Sequence, residues 1–335
     1  MIKVLITGAN GFVGSHALDA LMLEKDIELA VSVRDTSRLN PLFQGEVRVG
    51  DLRDSQYVRE LVHDRDVIVH AATWSSLFAH ARQSRELFYE PSIQLIDAAK
   101  SAGVKRFINI STTSAAAPTR SADADSVGIK RSFWPHLCNL IDLEEYLREQ
   151  AKADFSVINL RLGIFIGQRY GLGLLPILLP RLKTHLVPWI AGGRTRIPLI
   201  DGRDIGEAIL LATRAAGIQG YTGINVIGAA QPSVREVINY LHEEFGYPRP
   251  HFSVPFAVAY LFAAVMEWLN PLTPFDPLVT RSIVHLLEET GANNDKASQL
   301  LGYAPKFHWQ DTIRLQVAEM RRRQSRPMRM ARPVG

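Results

Sequence analysis

A doubly wound parallel α/β sheet is what this sequence predicts, on three observations. Short β-branched runs alternate with stretches of helical period from the first residues onward. The first run ends in a glycine loop that opens a helix. A hydrophobic content of 47% over 335 residues is enough to core one large unit and a smaller companion.

Taken in order, "IKVLITG" reads as the first strand, and "SHALDALMLEKD" places apolar residues at helical spacing after the glycines. "IELAVSVR", "EVRVGDL", "DVIVHAAT", "RFINIST" and "FSVINLRLG" read as further strands, separated by helices such as "DSQYVRELVHD" and "PSIQLIDAAKSAG". Ligands of such sheets bind at the strands' carboxyl ends, where the strand order reverses. After about residue 165 the alternation loosens. "GLGLLPILLPRLKTHLVPWIAGG" is apolar and proline-broken, "SVREVINYLHEEFG" is amphipathic, and prolines from Pro248 to Pro277 surround one apolar helix. The reading is therefore a dinucleotide-binding domain over 1–165, to which the chain returns near 200–230. A smaller C-terminal substrate lobe spans 166–320, and 321–335 is a basic tail.

Composition narrows the function classes. The single cysteine, Cys138, excludes an internal disulfide, and no Cys/His cluster has zinc-ligand spacing, so no metal and a cytoplasmic setting are expected. "MIKVLITGAN" has none of the parts of a secretory signal. The uncharged run Phe252 to Met266 falls short of the ~18 apolar residues of a spanning helix, and Pro255 interrupts its start. It reads as a buried or partner-facing helix, against membrane contact. The net charge of +4 gathers in Arg321 to Gly335, which without a recognisable binding fold around it reads as a solvated terminus and not a nucleic-acid site.

The loop "TGANGFVGS", Thr7 to Ser15, spaces Gly8, Gly11 and Gly14 three apart between a strand and a helix. Small residues there let backbone N–H groups approach a pyrophosphate, whose charge the helix dipole favours. The second strand ends "VSVRDTSRL", where Arg34 offers a guanidinium to the 2′-phosphate of NADP and Arg38 adds a second charge. NADP is the expected cofactor, with Asp35 leaving NAD open.

TGxxGxxG resembles the short-chain dehydrogenase/reductase superfamily, specifically its extended branch of epimerases, dehydratases and 3β-hydroxysteroid dehydrogenases. Further landmarks follow in order: "GDL" at Gly50 to Leu52, "HAA" at His70 to Ala72, "AGVKRFINIST", "LRLGIFIG", "IPLIDGRDIGEAI" and "LGYAPKFHWQDTI". The resemblance implies a Rossmann sheet and a cofactor set of Gly8, Asn10, Gly11, Phe12, Val13, Gly14, Arg34, Arg38, Asp51, Leu52, Ala71, Ala72 and Arg161. It also implies a small-molecule substrate and a homodimer through two sheet-flanking helices.

Members that move hydride carry a tyrosine four residues before a lysine, and this chain has no YxxxK. Counting back eight from Glu144, or about 25 from Arg161, lands on His136, with leucine at the lysine position. A register one residue later gives Leu137 and Ile141, and no acid. His136 is either the proton donor, with an imidazole titrating near neutrality, or a surface or capping histidine; Tyr146, Tyr170 or Lys130 are the loop alternatives. Thr112 matches the family's catalytic serine or threonine, with Ser111 one residue away and a strand-end cap as the bland alternative. The activity implied is hydride transfer between a nicotinamide and a carbonyl or secondary alcohol, on an apolar small molecule. A non-catalytic NAD(P)-binding module and an epimerase-like isomerase are the alternatives.

Overall fold

Seven parallel strands build the central sheet of this computed structural model, which describes residues 1–116, 120–169, 173–272, 277 and 279–325. Strand β1 (Ile2–Thr7) is buried from Val4 onward and ends at the glycine loop that starts α1 (Phe12–Leu21). Next come β2 (Ile27–Val33) and β3 (Glu46–Val49), whose half-exposed sequence suits an edge. Helix α2 (Ser55–Leu61) starts where the Asp54 carboxylate accepts the N–H groups of Gln56 and Tyr57. β4 (Val67–His70) follows.

The next helical stretch was predicted only in part. α3 (Ala81–Ser84) runs through a π-helical turn, Arg85–Tyr89, into α4 (Glu90–Ser101). Pro91 explains the widened turn. It lacks an N–H and its ring would clash with the carbonyl four residues back, and a π turn relieves both within a continuous helix.

β5 (Arg106–Thr112), α5 (Pro135–Gln150) and β6 (Ser156–Leu162) complete the first half. Beyond them lie β7 (Ile164–Ile166), α6 (Leu174–Leu182), β8 (Trp189–Ile190), β9 (Leu199–Asp201) and α7 (Gly202–Arg214). β10 (Tyr221–Val226) returns to the sheet beside β6, giving the order β3-β2-β1-β4-β5-β6-β10. The order reverses between β1 and β4, so the crevice at their carboxyl ends is where a ligand is expected. Alternate residues feed two cores. Val4 and Ile6 face α1 and α7, while Leu5, Ile68 and Phe107 face α2, α4 and α5.

Helix α8 (Val234–Phe245) opens with a Ser233–Glu236 capping box and closes at Gly246 in the left-handed region. β11 (Ser253–Val254) pairs with β8. Then come α9 (Phe256–Leu269), α10 (Arg281–Leu286), α11 (Asp295–Leu301) and α12 (Trp309–Ser325). The closing segment is tied down at Asp204, whose carboxylate accepts the backbone N–H of Lys306 (2.8 Å) and Phe307 (3.3 Å).

The apolar run after Phe252, read as a buried or partner-facing helix, forms a helix that is buried on one side only. Ala259, Ala263 and Glu267 are buried and Phe256 and Tyr260 pack partly beside them, while Val258, Leu261, Phe262, Val265 and Trp268 face outward. Among the described residues no helix is long and apolar enough to cross a membrane.

Candidate dinucleotide and catalytic site

The glycine loop is closed to side chains at two of its three glycines. Gly8 has φ +69°, and a Cβ there would lie 2.5 Å from the Ala72 Cα. A Cβ on Gly14 would lie 2.2 Å from the Gly8 carbonyl oxygen and 2.9 Å from the Ala9 Cα, both backbone atoms that cannot swing aside. Gly11 precedes α1, its N–H donates to the Gly8 carbonyl at 2.9 Å, and no side chain caps the helix. The positive end of the α1 dipole is thus left facing the crevice. Phe12 and Val13 are buried, with Phe12 stacked on Phe165 at 5.5 Å between centroids, so they can serve a ligand only through their backbone. Asn10 donates its side-chain N–H to the Asp35 carbonyl and braces the loop against β2. A cradle that excludes any Cβ, beneath an uncapped helix terminus, fits the pyrophosphate of a dinucleotide.

Around it, the Ala71 and Ala72 N–H groups donate to Thr7, to its carbonyl at 3.3 Å and its hydroxyl at 3.4 Å, and hold the end of β4 beside the loop. The His70 of "HAA" is a tie between elements. Its Nδ1 meets Thr7 Oγ1 and its Nε2 meets Ser92 Oγ, each at 2.9 Å. At the end of β2, Arg34 and Arg38 are exposed and neither makes a hydrogen bond or ion pair among the described residues. The Asp35 carboxylate closes its own turn, accepting Ser37 N–H (2.9 Å) and Ser37 Oγ–H (2.5 Å), which hold it below its ordinary pKa. Asp51 is gripped by Arg53 through Nε (3.0 Å) and Nη2 (2.6 Å), and that pairing lowers its pKa too. The Leu52 carbonyl accepts from Gln94 at 3.0 Å.

Arg161, expected on the cofactor, is turned inward. It is fully buried, its Nε donates to Glu144 Oε1 at 3.0 Å, and its Nη2 bridges Glu144 Oε2 and the Ser126 carbonyl. Ser111 Oγ and Asn159 Nδ2 donate to the same carboxylate at 2.5 and 2.9 Å. The physical reason is that a guanidinium in a fully buried strand must find a carboxylate, and α5 supplies one. Arg161 and Ser111 therefore brace β5, β6 and α5 beneath the site.

Thr112 is half-exposed at the end of β5, where its Oγ1 accepts the Ser114 N–H at 3.2 Å. This is the capping geometry, and it leaves the hydroxyl proton free to donate. His136 is neither a surface nor a capping residue. It is 5% exposed, edge-on to Phe88 and Trp74, with Nδ1 3.0 Å from Ser84 Oγ. Ser84 Oγ also accepts from Asn139 at 2.8 Å; with its own proton assigned to His136 Nδ1, the imidazole hydrogen lies on Nε2. Burial lowers the His136 pKa to about 4, correcting the expectation of an imidazole that titrates near neutrality. No hydrogen bond joins it to Thr112. Leu140 lies partly buried against the core, while Leu137 and Ile141, the shifted register, are fully buried. Tyr146 donates to Asp97, and Lys130 is paired with Asp142 (2.6 Å) and Glu145 (2.9 Å), so both are engaged elsewhere. Tyr170 lies outside the described residues.

The depressed His136 pKa has a sign that can be checked. The unfolded chain binds the proton first, so this contribution to stability is intact above about pH 6.5 and is lost as pH falls towards 4. Denaturation in that window should show His136→Phe flattening the acid slope by at most ~1.4 kcal/mol per pH unit. An unchanged slope would mean that the imidazole titrates normally.

Sequence reasoning missed a second cluster. His285 Nε2 lies 3.2 Å from the Ser114 carbonyl and Nδ1 lies 2.9 Å from Glu288 Oε2, while the Tyr260 hydroxyl donates to Glu288 Oε1 at 2.7 Å. Burial acts to raise the Glu288 carboxyl, but these hydrogen bonds outweigh it and hold the group below the ordinary carboxylate value. The His–Glu spacing of three was the only local signal; the 171-residue separation from Ser114 hid the rest. Alongside opens a cleft of about 350 Å³ lined by Arg196, Ile227, Gly228, Gln231, Thr290 and Asn293.

This chain is similar to known proteins. A profile of the NAD dependent epimerase/dehydratase family matches residues 4–227. A 4-hydroxy-2-methyl-3-oxo-4-farnesyl-3,4-dihydroquinoline-1-oxide ketoreductase of Stigmatella aurantiaca is 24% identical, over 93% of this chain and 95% of its own. A 2-alkyl-3-oxoalkanoate reductase of Stenotrophomonas maltophilia is 24% identical, over 93% and 98%. The UDP-glucuronic acid 4-epimerase of Bacillus cereus, solved in complex with NAD, superposes with a TM-score of 0.72 at 20% identity, over 96% of this chain and 99% of that one, a likeness of fold. With its cradle at the sheet's switch point and two thirds of its length matched by that profile, the chain belongs to the NAD dependent epimerase/dehydratase family.

Proposed function

We propose that the chain is an NADP-dependent reductase of a carbonyl on an apolar small molecule, working without the tyrosine–lysine couple. The observation that carries this reading is the cradle at Gly8 and Gly14, which no side chain can enter. Both 24% identical relatives are, by their names, reductases of oxo compounds. The preference for NADP rests on the free guanidinium groups of Arg34 and Arg38 and on Asp35, whose carboxylate is already committed to Ser37.

A bound nicotinamide supplies the hydride. Thr112 donates its free hydroxyl proton as a hydrogen bond to the substrate oxygen. His136, neutral with its hydrogen on Nε2, polarises that oxygen without protonating it, as a neutral imidazole can. The proton that completes the alcohol then comes from solvent. Turnover should therefore show no limb near pH 6.5 from His136. His136→Phe should lower turnover roughly 10²-fold, the loss for one preorganised donor, with NADPH affinity kept.

The cofactor preference has its own test. Arg34→Ala should weaken NADPH by roughly 1.5–3 kcal/mol, the range for a hydrogen bond to a charged group, and leave NADH nearly untouched. Equal losses for the two would defeat the NADP assignment. A non-catalytic dinucleotide-binding module is the second reading, favoured by the missing YxxxK and the burial of His136. Incubation with NADPH and a panel of apolar ketones separates the two, because only a reductase consumes NADPH.

A further inference from the structure

The outward face of helix α9 has no role in the site described above. The helix packs through Ala259 and Ala263 against the α10 region, and its one charged residue, Glu267, points inward to accept the Arg281 N–H at 2.7 Å and Nε–H at 2.6 Å. Phe256 and Tyr260 pack partly on the same inner side, and five other large side chains point the other way. Val258, Leu261, Phe262, Val265 and Trp268 are exposed at spacings of three and four, Leu261 by 67% and Trp268 by 77%, and Leu272 continues the stripe at 80%. Fourteen residues of helix make this ledge about 21 Å long. It continues at its start into exposed Phe252, next to His251, which stacks on His185 at 5.9 Å between ring centroids beside exposed Leu186. Soluble monomers seldom leave such contiguous apolar surface in water. Apart from the Trp268 indole at one end, these side chains offer no hydrogen-bonding group.

The rim is basic. Lys183 and Arg321 are exposed and paired with no carboxylate among the described residues. Lys183 lies over the Tyr247 ring (5.7 Å), and Arg321 lies over the Phe245 ring (5.4 Å) and donates to the Phe245 carbonyl at 3.1 Å. Phe252 follows Phe245 by seven positions, so the Phe245 carbonyl that Arg321 meets lies within about 25 Å of the Phe252 end of the ledge. From there the sequence 321–335 carries Arg321, Arg322, Arg323, Arg326, Arg329 and Arg332 and no acidic residue; residues 326–335 lie outside those described.

We infer that α9 docks the protein on an anionic phospholipid bilayer, its apolar face at the boundary of headgroups and acyl chains and its basic rim on the lipid phosphates. Membrane-surface binding takes two signals, buried apolar area and attraction to anionic lipid, and both meet here. The run is too short to span, as the sequence predicts, but it suits a helix lying in the interface, where an indole at one end also belongs. A second copy of this chain is the poorer match. A self-complementary pairing would give the face no hydrogen bonds and the cations no counter-charge.

Flotation of the full chain with vesicles tests this. With phosphatidylcholine–phosphatidylglycerol vesicles at low salt the protein should float. Partitioning should fall by about tenfold or more in Leu261→Asp/Trp268→Asp, and comparably with pure phosphatidylcholine, in high salt, or in Lys183→Gln/Arg321→Gln. All variants change exposed side chains remote from the glycine loop, so NADPH affinity and thermal unfolding should match the parent and rule out misfolding. Protein that stays in the soluble fraction with every vesicle overturns the inference. So does equal binding by the Leu261→Asp/Trp268→Asp variant, or sedimentation showing a dimer that this variant abolishes while vesicles have no effect.

Discussion

Glu144→Ala is expected to cost about 3–5 kcal/mol of folding stability, the loss typical when one partner of a buried ion pair is removed. The substitution strands the Arg161 guanidinium, which has no exposed surface and whose Nη1 already lacks a partner. It also takes an acceptor from Ser111 and Asn159, so three donors from β5 and β6 lose their common carboxylate. Urea denaturation of the purified variant measures the loss. A change under about 1 kcal/mol would show that water or a neighbouring group replaces the carboxylate and that the brace beneath the site is not electrostatic.

Gly14→Val should all but abolish dinucleotide binding. Its Cβ would lie 2.2 Å from the Gly8 carbonyl oxygen, so the loop must open before any ligand arrives, and the two γ-methyls would crowd the same turn. Displacing the loop takes the first-turn amides of α1 out of line with the pyrophosphate. We expect NADPH affinity to fall by at least about 10²-fold, equivalent to ~2.7 kcal/mol or more, while circular dichroism shows the fold largely retained. Affinity within a few-fold of the parent would mean that the loop has another purpose.

Much of this was legible in the sequence because it is local. The strand–glycine–helix junction, the apolar alternation of β1 to β6, the capping box of α8 and the arginines after β2 are written in neighbouring residues. What escaped depends on partners distant in the chain. Nothing near Arg161 says that Glu144 will claim it from α5, and nothing near His136 says that Ser84, at the end of α3, will hold its Nδ1 in a dry aromatic pocket. The direction in which α9 faces was hidden for a different reason. An almost wholly apolar run has no polar face to mark its orientation, and only packing reveals that Ala259, Ala263 and Tyr260 meet the protein while Leu261, Phe262 and Trp268 do not.

Transfer of label from the cofactor tests the central claim most directly. Purified protein is incubated with NADPH carrying deuterium at nicotinamide C4 and a panel of apolar ketones, and the products are read by mass spectrometry. The account predicts an alcohol carrying one deuterium on the carbinol carbon, absent with Gly14→Val. Tight NADPH binding with no deuterium in any product would contradict it and identify the chain as a dinucleotide-binding protein that does not reduce.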